Sequence, residues 1–85
     1  MFFYTYVLLS LKDNDFYIGY SSDLRKRVEE HNLGKNFSTK FRRPFKLVYY
    51  EACPTKEDAI QRESYLKSSI GHRFLKRRLH NFFRQ

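Results

Sequence analysis

The sequence predicts an α+β domain with its elements in the order ββαβαα. Runs rich in aromatic and β-branched residues occupy 2–11, 16–20 and 45–53, a composition that suits a pleated, half-buried surface. Only the polar turn signal KDND separates the first two, so they are expected to form a hairpin. The segments between and after the strands carry helix caps and helical spacing instead of alternation.

Taken in order, FFYTYVLLSL reads as the first strand; it has no basic leader and is too short to cross a bilayer. FYIGY is its hairpin partner, with the tip near Asp13-Asn14. SSDLRKRVEEHN follows as a helix capped by Ser22, with Asp23 in the first turn, where the helix dipole favours an anion, and Gly34 just beyond its end. Residues 33–46 hold five basic residues, no acid and no periodicity, and read as a basic loop. FKLVYYEAC is the third strand, closed by Pro54, with Cys53 as a small apolar residue at its end. Thr55, with Asp58 three residues on, opens a helix expected to stop at Gly71. HRFLKRRLHNFFRQ then sets Phe74, Leu75, Leu79, Phe82 and Phe83 along one side of a third, basic helix.

A chain of 85 residues makes one domain with a core near the lower practical limit, and nine Phe and seven Tyr supply bulk that length does not. Seventeen Lys and Arg against nine Asp and Glu give a net charge of +8, which makes nucleic acid the first partner to consider. A membrane surface fits less well, because no long segment pairs a basic face with an aliphatic one. The single cysteine rules out an internal disulfide and fits a reducing cytoplasm.

Candidate chemistry comes from helical projection at about 100° per residue. Arg27 and His31 fall beside Leu24 and Val28 at the edge of the stripe that docks on the sheet, while Arg25, Lys26, Glu29 and Glu30 point elsewhere. Such residues serve either as rim groups with packed stems or as site groups. On the next helix, Glu63 falls within the apolar face with Ala59, Leu66 and Ile70. A carboxylate facing a core is costly unless it is paired or bound to a metal, so Arg62, Lys67, a residue of another element or a metal ion is its expected partner. Tyr6 and Tyr17 lie in the two hairpin strands, where half-buried aromatics are at home.

As an ordered set, YTYVLLS, FYIGYSSDLRKRVEEHN, RRPFKLVYYE and AIQRESYLK resemble the GIY-YIG nuclease domain, especially its small stand-alone bacterial branch, over about residues 4–71. The resemblance implies a three-stranded antiparallel sheet flanked by helices, and hydrolysis of phosphodiester bonds in DNA, with RNA left open. It matches Tyr6 to the tyrosine of the first motif, Tyr17 and Gly19 to the second, Arg27 and His31 to the helical arginine and histidine, and Glu63 to the metal-binding glutamate. One divalent ion, Mg²⁺ or Mn²⁺, is implied on Glu63. Tyr6 is expected to activate water, with the metal and Arg27 favouring its phenolate; Tyr17 orients water or phosphate, Arg27 neutralises charge on the phosphate, and His31 assists proton transfer or phosphate binding. Tyr4-Thr5 stands where the name-giving motif has Gly-Ile, and Tyr20 follows Tyr17-Ile18-Gly19 in place of a lysine.

Two basic runs are candidate nucleic-acid contacts. Lys35, Lys40, Arg42, Arg43 and Lys46 interleave with Phe37, Phe41 and Phe45; Arg73, Lys76 and Arg77 lie further on, with Arg78. Flanking the site, they would follow a phosphate backbone while an exposed ring stacks on an unpaired base. The alternative is that the rings, Phe45 above all, are core and the charges a solvated rim. Nothing resembles a base-reading module, so selectivity is expected from DNA shape, strand breaks, a second copy of the chain or a protein partner. The competing expectations are a non-catalytic nucleic-acid-binding domain of the same fold and a structural protein whose site residues are core.

Overall fold

Alternation along the first apolar run decides the architecture. The computed structural model describes all 85 residues, and in it β1 (Phe3–Ser10) lies between β2 (Phe16–Ser21) and β3 (Phe45–Cys53), antiparallel to both. A central strand must bury both faces, which is why its apolar run is nearly unbroken. Val7 packs with Ile18, Leu66 and Leu75 on one side, while Tyr6 and Leu8 pack with Phe45 on the other. Helices α2 (Lys56–Lys67) and α3 (Ser69–Arg78) cover the first side, and α1 (Leu24–Asn32) adds Leu24 and Val28 to the second. Thr5 Oγ1 donates to Ala59 O at 2.9 Å and ties α2 to the sheet.

The register puts Tyr6 opposite Gly19 on β2 and Tyr50 on β3. Pairing with β3 slips between Val7 and Leu8, leaving Val48 as a bulge residue that packs on the Val7 side. The hairpin turns at Asn14, whose φ of 60° is one that asparagine tolerates better than most residues. No helix is long and apolar enough to cross a membrane.

Three local expectations are corrected. The cap of α1 is Asp23, whose carboxylate accepts from Lys26 N at 3.1 Å; Ser22 precedes it, exposed. Helix α2 stops at Lys67 instead of running to Gly71. Ser68, with ψ 166°, ends α2 and also caps α3, its Oγ accepting from Gly71 N at 3.1 Å. Gly71 is therefore inside α3, and it is glycine for closeness, because a Cβ there would run into Tyr65 O and Leu66 Cα. The expected third helix is broken at Leu79, giving α3 and a short α4 (His80–Phe83). In the basic loop, only Lys40–Arg42 forms a turn of 3₁₀ helix.

Replacing Gly71 by Ala should lower stability by about 1–3 kcal/mol, read as a fall in the urea midpoint, because backbone and not a mobile side chain must yield. An unchanged midpoint would contradict the close crossing of α2 and α3.

Candidate active site

The site begins with an absence. Gly19 has no side chain, and the Tyr6 ring lies across the space: a Cβ on Gly19 would stand 2.5 Å from Tyr6 Oη and 2.7 Å from Cζ. Tyr6 is thus able to reach α1 while only 1% exposed, and its Oη lies 3.0 Å from His31 Nε2. His31 is fully buried, and its Nδ1 is 2.8 Å from Thr39 Oγ1. Tyr17, opposite Leu8 on β2, tilts against the imidazole with ring centres 5.0 Å apart, and Phe45 sits 6.1 Å away on another side.

Arg27, one turn before His31, stays at the mouth with its side chain 41% exposed and its Nε 3.4 Å from Glu30. It lines three clefts, one shared with Tyr20 and Lys56, one with Lys35, Asn36 and Phe37, and one with Asp23 and Lys26. Four of the five expected residues therefore gather on the α1 side of the sheet.

Glu63 stands apart. It is carried by α2, whose Leu66 packs on the Val7 side of the sheet, and it makes no hydrogen bond or ion pair with the other four. Its side chain is largely buried, 17% exposed, and Oε2 pairs with Lys67 Nζ at 3.0 Å; Arg62 turns instead to Glu51 at 3.0 Å. Its charge is nevertheless felt at Tyr6.

Burial pushes the Tyr6 phenol up to about 12, and the negative charges available to Tyr17 and Glu63 add to this; Arg27 pulls the other way and is outweighed. Burial also lowers His31, helped by the positive charge of Arg27 and opposed by Glu30. At neutral pH the pair is a phenol facing an uncharged imidazole. The expectation that Arg27 favours a phenolate is thus corrected in magnitude: its effect has the expected sign, but desolvation is larger.

No group of three or more His, Cys, Asp and Glu side chains is placed to enclose a cation. One largely buried carboxylate does fit Mg²⁺ or Mn²⁺ in the manner Mg²⁺ prefers, with few protein ligands and the rest of the shell from water and substrate phosphate. The Lys67 side chain is 56% exposed and can swing into solvent to release Glu63. A two-metal site, which needs more bridging acids, does not fit.

The basic candidates divide. Lys35 lines a cleft with Arg27, and the loop beside it exposes Phe37 by 78% and Phe41 by 70%, with Lys40 Nζ about 5 Å from both ring centres. Phe45 is core. Arg42 is tied to the hairpin: its Nε donates to Asp13 Oδ2 at 2.7 Å, and it lies over the Phe45 ring. Arg43 Nε donates to Lys40 O, and Lys46 lies over Phe82. Arg73, Lys76 and Arg77 are exposed on α3, across the sheet from His31, so this run does not flank the Tyr6–His31 pair. Two further residues shape the site, Gly19, matched above as a motif residue, and Thr39, which nothing in the sequence singles out. Gly19 acts through its missing side chain, and Thr39 is buried in a loop with no pattern to mark it.

This arrangement on this sheet defines a class: a family model described as the GIY-YIG catalytic domain matches residues 2–82, and the chain belongs to that family. The UPF0213 protein YazA of Bacillus subtilis (strain 168) is 48% identical over 67 residues, 78% of this chain and 65% of that protein. A UPF0213 protein of Staphylococcus saprophyticus is 40% identical over 74 residues, covering 86% of this chain and 89% of its relative. The solution NMR structure of a UPF0213 protein from Bacillus halodurans aligns with a TM-score of 0.54 at 37% identity, over 88% of this chain and 82% of that one. The small α+β fold with its three-stranded antiparallel sheet is shared with that structure.

A buried neutral histidine makes stability depend on pH. In the unfolded chain His31 takes a proton near 6.5, whereas in the folded protein it does so only at lower pH. The unfolded state therefore binds more protons in this window, and the His31 contribution is present above about 6.5 and lost as pH falls through the folded value. Urea unfolding at about pH 8 and pH 5 should show a fall in stability that is smaller in His31→Gln. An equal fall in both proteins would place its origin elsewhere.

Proposed function

We propose that this chain is an endonuclease that hydrolyses phosphodiester bonds in DNA with a divalent ion, Mg²⁺ or Mn²⁺, and with little sequence preference of its own. The observation that carries this reading is the buried Tyr6 phenol, one hydrogen bond from an uncharged imidazole, with the partly exposed Arg27 one helical turn before that imidazole. Phosphodiester hydrolysis needs a base for the attacking water and positive charge around the phosphoryl oxygens.

Tyr6 and His31 supply the base as a unit. The phenol proton passes to His31 Nε2 across 3.0 Å as Tyr6 Oη takes the proton of the attacking water. A free phenolate, opposed by a value of about 12, is never required. The water oxygen bonds to phosphorus as the bond to the leaving oxygen breaks, giving a phosphomonoester and an alkoxide that takes a proton from solvent water to become a hydroxyl; the proton on His31 returns through Tyr6 to solvent. Arg27 leaves Glu30 for the non-bridging oxygens, and Tyr17, packed on His31, orients water or phosphate. Glu63 would hold the metal ion, and an ion there would supply Lewis-acid polarisation of the phosphate.

Lys35 and the exposed Phe37 line a cleft with Arg27, Lys40 and the exposed Phe41 follow on the same loop, and a net charge of +8 favours a polyanion. Nothing in these contacts reads a base edge, which favours recognition by backbone and shape.

Supercoiled plasmid in Mg²⁺ or Mn²⁺ tests the reading. Wild type should nick it, and Glu63→Ala, still folded and still binding DNA, should nick about 100-fold more slowly or less. Equal nicking by the two would remove Glu63 from the site. Binding without nicking by wild type would favour the non-catalytic nucleic-acid-binding domain.

A further inference from the structure

We infer that Thr39 is a positioning residue: its hydroxyl, delivered by the basic loop, fixes His31 as the Nδ1–H tautomer and so aims the Nε2 lone pair at Tyr6. The catalytic consequence rests on the nuclease reading above; the tautomer does not.

The loop is otherwise turned to solvent. Phe37, Ser38 and Phe41 are exposed, while Thr39 between them is fully buried. It is held inward by a frame of local bonds: Asn36 O accepts from the backbone N–H groups of Thr39 at 3.1 Å and Lys40 at 3.0 Å, and Ser10 Oγ donates to Arg42 O at 2.6 Å. A residue so placed has one polar atom to contribute, and that atom meets His31 Nδ1 at 2.8 Å.

The Tyr6 end of the chain of contacts selects a tautomer, and the Thr39 end is able to meet it. A threonine hydroxyl has one hydrogen and here two neighbours, Asn36 O at 3.4 Å and His31 Nδ1 at 2.8 Å; given to Asn36 O, it leaves Oγ1 to accept from an Nδ1–H. At the other end, the buried Tyr6 phenol needs an acceptor for its own hydrogen, and His31 Nε2 at 3.0 Å is the acceptor in reach. Nε2 cannot accept if it carries the hydrogen. The bond made by one ring nitrogen thus sets the role of the other. Because Lys40 and Phe41 follow Thr39 directly, the segment that offers itself to nucleic acid is also the one that orients the imidazole.

Long-range ¹H–¹⁵N correlation of the imidazoles in ¹⁵N-labelled full-length protein reads the tautomer directly, with His31→Gln assigning the signal. Wild type should show His31 as Nδ1–H. Thr39→Val keeps the shape and loses the acceptor, so the signal should move toward Nε2–H or a mixture; Thr39→Ser should restore it. On plasmid, Thr39→Val should lower kcat about 10- to 100-fold with KM within about 2-fold of wild type, and Thr39→Ser should recover most of it. An Nε2–H wild type, an unmoved tautomer in Thr39→Val, or a moved tautomer with unchanged kcat each overturns the role. Should Thr39→Val not fold, the wild-type tautomer decides alone. Absence of nicking by wild type overturns the nuclease reading and leaves the tautomer result standing.

Discussion

A phenol that must be buried and must also donate a hydrogen bond organises this small domain. Tyr6 lies on the central strand, in the run from Thr5 to Ser10 that is buried throughout, and a buried hydroxyl without a partner is costly. The sequence meets that constraint twice, with Gly19 leaving room for the ring and His31 on α1 accepting from it. The imidazole then needs a partner of its own, and the loop provides Thr39. No buried side-chain polar atom is left unpaired anywhere in the chain. The acid–base pair of the proposed site is thus also part of the core, a rigid placement that favours chemistry requiring short, fixed distances.

The same placement sets the electrostatics. Burial holds Tyr6 protonated and His31 uncharged, so net charge is confined to the rim, where Arg27 and Lys35 face solvent. The overall charge of +8 is a poor guide to where a polyanion would sit. Arg42 is spent on Asp13, and the α3 cations lie beyond the sheet. What remains beside the Tyr6–His31 pair is a short, pinned loop with two exposed rings and Lys40 between them. Glu63, on α2 and paired with Lys67, acts on Tyr6 through its field in the free protein.

Much of this was legible in the sequence where a period or a cap carries the information. The three strands, the hairpin tip and the inward turn of His31 follow from aromatic runs, a polar turn and a helical projection. The failures are equally physical. Gly71 looks like a helix stop, because glycine usually ends helices, but here it is a point of close approach that only the folded packing of α2 on α3 reveals. Arg42 reads as one more cation in a basic run until Asp13 of the hairpin is brought to it. Thr39 sits in a segment without periodicity, so nothing local distinguishes it from Ser38. The Tyr6–His31 contact joins residues 25 apart in sequence, and its bond follows from the sheet register and the docking of α1, neither of which a window of sequence contains.

Whether Tyr6 and His31 work as one unit is the claim on which the account turns, and a double-mutant cycle on the initial rate of plasmid nicking tests it most directly. If the proton passes between them, Tyr6→Phe and His31→Gln should each slow nicking by about the same factor, of order 10² or more, and the double variant should be little slower than either. Losses that multiply, with the double variant slowed by the product of the two, would contradict it.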